Sequence, residues 1–274
     1  MNIWASRLAE LALVQKDSNL PNSPEADFLN PILSQLKNVR KYCVDTAASN
    51  GVHSSTTYPF LKQGWDGLAV EMHPGKFSAL SYIYQDLKNV ALTRQKITPL
   101  NIVSILECHE VPRNFGLWNM DIDSYDLFVV KAALDSGYRP TVISIEINEK
   151  IPHSVYFTVL FNQSHYWRGD HFYGCSLAAA HEEFIPYGYQ LVAVHLQNAV
   201  FVRVDAEGYN FPETNVKEAF EAGYMHLSDK NILFPWNKDV DYLHELSPEK
   251  AIHEIDLLFH NYKGLYEIRK SLVN

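Results

Sequence analysis

Between residues 41 and 204 the hydrophobic positions fall into short, dense runs separated by longer amphipathic stretches. Residues 41–47 form a brief apolar run that ends in an acid and small residues, the pattern of a buried parallel strand. Further strands are predicted at 67–71, 89–93, 115–121, 141–148, 189–194 and 199–204. The run TVISIEIN at 141–148 is the strongest, being rich in β-branched residues after Pro140. Helices are predicted at 54–62, 76–88, 124–134 and 176–184. Another is opened by Thr98 as cap and Pro99 in its first position. This alternation predicts an α/β fold, a doubly wound Rossmann-like sheet with helices on both faces.

The flanks read differently. Ile3, Trp4, Leu8 and Leu11 share a helical face, residues 16–26 read as a polar linker, and a second helix is expected over 31–39. In that helix Ile32, Leu33 and Leu36 point inward, Asn30 caps, and Pro31 lies in the first turn. Residues 1–40 are therefore expected to form a helical lid, 41–205 the core, and 206–274 an appendage packed on it. A C-terminal helix is expected to start at Ser247-Pro248, with Ile252, Ile255, Phe259, Tyr262 and Tyr266 as its apolar stripe.

Composition narrows the function. With 274 residues, 47% hydrophobic and 20% charged, the chain has ample core for one large domain. Lys and Arg number 23 against 32 Asp and Glu, a formal charge of −9. That balance argues against nucleic acid and against anionic membrane as partners. Cys43, Cys108 and Cys175 are scattered without zinc-ligand spacing, and the twelve histidines show no HExxH pattern. Reduced thiols, no signal-peptide pattern at the start and no bilayer-length apolar run predict a cytoplasmic protein. The chain is compatible with a homodimer.

Doubly wound sheets bind ligands at the carboxyl ends of their strands, so the residues expected there are the candidates. Ser49-Asn50-Gly51 is turn chemistry after the first strand, and Gly51 permits close backbone approach. Glu71 ends the second strand 20 residues later (71 − 51), where an acid suits the two hydroxyls of a nucleotide ribose. Asp121 and Asp123 alternate at the end of the fourth strand, so their carboxylates converge. One of them can serve as a general base for a hydroxyl acceptor, or both can hold Mg²⁺ with Glu146 or Asn148. Asp123 also suits the N-cap of the next helix, with Asp126 following. Glu146 and Asn148 point toward a substrate. The aromatic loop containing His165, Trp167, Asp170, His171, Tyr173 and Ser176 is expected to form an acceptor wall, with His171 as a second candidate base.

Four ordered patches carry a family resemblance. DTAASNGVHSSTTYPFLKQGWDGLAVE, ITPLNIVSILECHEVP, NMDIDSYDLFVVKAALDSGYRPTVISIEIN, and YGCSLAAA followed by GYQLVAV together resemble FkbM-like methyltransferases. These are class I enzymes that use S-adenosylmethionine. The resemblance covers about 41–204, with departures at Asn50, Thr56 and Ser124. It implies a loop of Asp45, Ala47, Ser49, Asn50 and Gly51 around the methionine half of the cofactor, with Ser55 and Thr56 on its carboxylate. It also implies Glu71 on the ribose, Met72 beside the adenine, and Asp121 near the reacting groups. The expected activity is methyl transfer to a small-molecule or sugar hydroxyl. Two other readings stay open: a nucleotide-sugar glycosyltransferase using the Asp121-Ile122-Asp123 triplet with Mn²⁺, and a cofactor-binding protein without turnover.

Overall fold

The computed structural model describes residues 24–53 and 55–272. The expected helix on Ile3 to Leu11 and most of the polar linker lie outside the described residues. The chain runs α1 (Pro24–Gln35), β1 (Tyr42–Asp45), α2 (Tyr58–Lys62), β2 (Asp66–Val70), α3 (Pro74–Ile83), β3 (Val90–Thr93), α4 (Ile102–Cys108), β4 (Leu117–Met120), α5 (Asp126–Asp135) and β5 (Val142–Glu146). It continues through β6 (Val155–Val159), α6 (Leu177–Phe184), β7 (Tyr189–His195) and β8 (Asn198–Arg203). The last elements are α7 (Val216–Phe220), α8 (Lys230–Leu233), α9 (Pro248–Leu258) and β9 (Tyr266–Lys270).

Seven strands form the main sheet in the order β3-β2-β1-β4-β5-β8-β7. The first five are parallel, and β8 enters antiparallel to both β5 and β7. The expected doubly wound, Rossmann-like α/β fold is what the chain adopts. Its strand order reverses between β1 and β4, where Asp45 pairs with Asn119, and such a switch point leaves a crevice beyond the strand ends.

Alternation along the strands splits the core in two. Val44, Leu68, Val70, Trp118, Met120, Ile143, Ile145 and Phe201 pack on one face with α4, α5 and α6. Cys43, Ala69, Leu117, Val142, Val200 and Val202 pack on the other with α1, Phe60 and Leu80. The inner parallel strands β1, β2, β4 and β5 are buried on both faces, which is why they read as continuous apolar runs.

Several boundaries differ from the sequence reading. The helix expected at 31–39 starts earlier, at Pro24, so Asn30 does not cap it and Pro31 lies inside it. Its buried side, including Leu29, Ile32 and Leu33, closes the second face of the sheet together with Leu36 just past its end. Helix α4 starts at Ile102: Thr98 and Pro99 belong to a preceding turn in which Asn101 Oδ1 accepts from the Thr98 N–H. Ser176 caps α6 by accepting from Ala179 N, and α6 matches the expected helix at 176–184.

Residues 155–159 form a strand that the sequence pattern does not predict, and the stripe from Ile252 to Tyr266 is not one helix. Helix α9 ends at Leu258, Gly264 turns the chain at φ 85, and Tyr266 begins β9. Strands β6 and β9 pair antiparallel as a second, two-stranded sheet. The five stripe residues still share one apolar cluster with Phe157 and Phe172. A helical period and a helix-turn-strand path place these residues on the same side, so the period alone could not separate them.

The C-terminal region carries an acid-sensitive group. His244 packs its ring 5.5 Å from Phe220 and 6.3 Å from Tyr224, and its Nε2 is buried without a protein hydrogen-bond partner. Burial, assisted by Lys230, pushes its pKa down to about 4. The unfolded chain titrates near 6.5, so the fold favours the neutral ring. That contribution, about 3 kcal/mol, is full above pH 6.5 and is lost as pH falls toward 4. Thermal melts between pH 7 and pH 4 should therefore drop more for the wild type than for His244→Phe. Equal drops would remove His244 as the cause.

Candidate functional site

Beyond the ends of β1, β2 and β4 lies a cleft of ≈ 410 Å³, within the range of about 300–1,000 Å³ usual for small-molecule sites. Its near wall is Thr46, Ala47 and Ser49 from the loop after β1, and Glu71, Met72 and His73 after β2. Its far wall is Asp121 to Tyr125 after β4, and His165 to Trp167 complete it.

The loop after β1 is built from its own side chains. Asp45 is buried, accepting from Thr57 Oγ1 at 2.6 Å, from Asn119 Nδ2 at 3.3 Å and from Ala47 N at 3.4 Å. Burial pushes its carboxyl up, and these bonds oppose the shift. Asp45 thus joins β1, β4 and the start of α2, and it does not line the cleft. Asn50 Oδ1 accepts from the N–H groups of Val52 and His53, closing the turn. Gly51 is turned to the core at φ 87, where a Cβ would stand 2.6 Å from Leu80 and from Tyr84. The Tyr84 hydroxyl donates to its carbonyl. The glycine is thus required by packing, not by approach to a ligand. Ser55 accepts from Tyr58 N, and both Ser55 and Thr56 are buried away from the cleft. Of the loop residues expected on a ligand, Ala47 and Ser49 face the cleft; Asp45, Asn50, Gly51, Ser55 and Thr56 are placed behind it.

Glu71 is 6% exposed and faces the cleft. One carboxylate oxygen accepts from His73 N at 2.6 Å, which orients the group and leaves its other oxygen for a ligand. His73 Nδ1 in turn accepts from Gly75 N and Lys76 N and starts α3. Met72 is exposed at the rim.

On the far wall Asp121, Asp123 and Glu146 bring one carboxylate oxygen each within 4.8 Å of one another. The convergence expected of Asp121 and Asp123 thus extends to β5. Burial pushes Asp121 up to about 8, reinforced by Asp123 and Asp126 and opposed by a hydrogen bond with Glu146. Glu146 is raised well above the usual carboxylate range by burial and by Asp121. Asp123 is raised by burial while Lys76 and Lys150 oppose it. Like charges this close in a recessed site oppose one another's ionisation.

Asp123 does not cap α5. Asp126, at the first helical position, turns back to accept from Ile122 N at 2.7 Å and Ser124 N at 2.9 Å. Asp123, at φ 52, is left facing the cleft.

Three expected acceptor residues lie elsewhere. Asn148 is fully buried and donates to the carbonyls of His171 and Tyr173. Tyr173 donates to Glu149 and accepts from Lys150 and Gln197 in a buried network. His171 pairs with Asp239 at 3.2 Å, outside the cleft. Tyr173 supports the wall from behind, its ring 6.2 Å from that of Trp167. The loop does supply His165 and Trp167 to it.

Other cleft residues gave no signal in sequence. Lys76 lies on α3, and Gln95, Lys96 and Ile97 follow β3. Lys96 Nζ donates to the carbonyls of Gln163 and His165, tying the aromatic loop down. Ser124 Oγ lies 2.5 Å from His165 Nδ1, and burial lowers the His165 pKa, favouring the neutral ring. Ser124 and His165 are 41 residues apart, a pairing that only the folded loop creates.

No family model matches the chain, and no curated protein matches its sequence. Among solved structures it is similar to a protein in the NADB-Rossmann superfamily from Streptococcus agalactiae, at 9% identity, with 89% of this chain and 95% of that one covered and a TM-score of 0.47. It is also similar to an S-adenosylmethionine-dependent methyltransferase from Clostridium acetobutylicum, at 11% identity, 72% and 98% coverage and a TM-score of 0.43. The N-terminal domain of EvdMO1 with SAH bound gives 10% identity, 66% and 81% coverage and a TM-score of 0.44. At such identities and scores these likenesses assign no chemistry to the cleft.

Proposed function

We propose that this chain is an S-adenosylmethionine-dependent methyltransferase acting on a hydroxyl of a small molecule or sugar. One observation carries the reading: a buried acid following β2, Glu71, lines one switch-point cleft together with Asp121 and Asp123 after β4, which Glu146 of β5 backs. A nucleoside needs the first and a hydroxyl acceptor the second.

The chain's residues fit such a cofactor. Glu71 offers a preoriented acceptor to the ribose hydroxyls. Met72 and Ile97 give apolar flanks for an adenine ring, and the backbone from Thr46 to Ser49 borders the place of the methionine portion. When bound, the cofactor supplies a sulfonium methyl open to in-line displacement. The protein's part is alignment and removal of the acceptor's proton. That proton leaves toward Asp121 or Asp123, the carboxylates that line the cleft.

Titration with S-adenosylhomocysteine, followed by thermal shift and calorimetry, tests the proposal. Stabilisation supports it. Stabilisation instead by a nucleotide-diphosphate sugar with Mn²⁺, beyond that given by Mn²⁺ alone, would replace it with the glycosyltransferase reading. Glu71→Ala should weaken S-adenosylhomocysteine binding at least about tenfold, since a hydrogen bond to a charged group is worth roughly 1.5–3 kcal/mol. An unchanged Kd would take Glu71 out of the site. No helix among the described residues is long and apolar enough to cross a membrane.

A further inference from the structure

We propose that Asp121, Asp123 and Glu146 form a binding site for one hard divalent cation of the Mg²⁺ or Mn²⁺ class. The site deepens the methyltransferase reading and rests on it only for its use: the cation would hold the acceptor's oxygen at the cofactor's reacting end.

Geometry comes first. Three carboxylates from two strand ends, β4 and β5, present oxygens within 4.8 Å of one another; Asp121 and Asp123 line an open cleft, and Glu146 lies behind them. Every candidate donor is an oxygen. His165 is engaged with Ser124, and the nearest thiol chemistry, Cys175, is fully buried and outside the cleft. An all-oxygen set selects Mg²⁺, Mn²⁺ or Ca²⁺ over zinc or copper.

The second observation is Glu146 itself. The residue is 7% exposed, and its Oε2 is buried with no donor facing it. Its Oε1 has a long contact of 3.4 Å from Gln197 Nε2. Among the described residues no ion pair reaches Asp121, Asp123 or Glu146; Lys150 is committed to Glu149. A buried carboxylate oxygen left without a donor is costly, and such groups are paired or coordinate metals. Three protein ligands leave the rest of a six-coordinate shell to water and to the acceptor, the usual way Mg²⁺ is held.

The test uses the full chain and two probes, MgCl₂ and MnCl₂, in calorimetry, with Mn²⁺ stoichiometry counted by electron paramagnetic resonance. One saturable Mn²⁺ per chain is expected. Glu146→Gln should weaken it by more than the roughly tenfold that even an outer-shell partner is worth. Asp123→Asn, on the partly exposed loop, gives the same answer should Glu146→Gln fail to fold. No saturable binding, or equal binding by wild type and both folded variants, would overturn the site. Titration with S-adenosylhomocysteine on the same samples separates the two readings. Its binding without any cation binding overturns the metal site alone. Cation binding without it keeps the site and overturns the methyltransferase.

Discussion

Asp121→Asn is expected to lower turnover about 10²- to 10⁴-fold, the range for losing a group that takes the acceptor's proton, with S-adenosylhomocysteine affinity nearly unchanged. The reason is placement. Asp121 lines the cleft on the wall facing Glu71, so it can meet the acceptor without touching the ribose. The substitution should also leave the fold as stable or more so. In the native cleft burial, Asp123 and Asp126 hold the Asp121 carboxyl up at about 8, against about 4 in an unfolded chain. Ionising it therefore costs stability as pH rises between those values, and the neutral amide removes that cost. Enzymes commonly trade stability for such a group. The check is a screen of hydroxylated acceptors with labelled donor, then kcat for both proteins, beside thermal melts. Undiminished kcat would discard any proton-handling or cation-holding role for Asp121.

Glu149→Ala is expected to cost about 3–5 kcal/mol of stability, a large share of the roughly 5–15 kcal/mol that holds a domain together. Glu149 is fully buried and gathers four donors: Lys150 Nζ at 3.0 Å, Asn237 Nδ2 at 2.6 Å, the Tyr173 hydroxyl at 2.5 Å and Gln197 Nε2 at 3.3 Å. They come from the segment after β5, the C-terminal region, the aromatic loop and the β7–β8 turn. Removing the carboxylate strands Lys150, itself 4% exposed, without its counter-charge. Urea unfolding measures the loss, and adding Lys150→Met to Glu149→Ala should recover part of it. A loss under about 1 kcal/mol would mean that water reaches the pair, as at exposed ion pairs.

Much of the sheet could be read from the chain because parallel strands buried on both faces leave unbroken apolar runs. The cleft's two acidic rims were visible for a related reason: Glu71, Asp121 and Glu146 each stand at the end of such a run, and strand ends share one edge. What could not be read is which polar residues turn inward. Asn50, Ser55, Asn148 and Tyr173 carry site-like chemistry but spend it on backbone and buried partners, and sequence does not record that choice. Asp126 took the turn-closing role assigned to Asp123 because it lies where its carboxylate can reach back to two free N–H groups. Lys96 and the Ser124–His165 contact depend on a loop whose path no periodicity encodes.

The pairing of β6 with β9 also bears on biosynthesis. Val159 and Tyr266 are partners 107 positions apart (266 − 159). All seven strands of the main sheet are complete at Arg203, so its pairing can form before residues 266–270 are made, at about 5–20 residues per second. Strand β6 must wait for residues 266–270. Until then its edge is an open template for a neighbouring nascent chain, and a transcript truncated before Tyr266 would leave it so permanently.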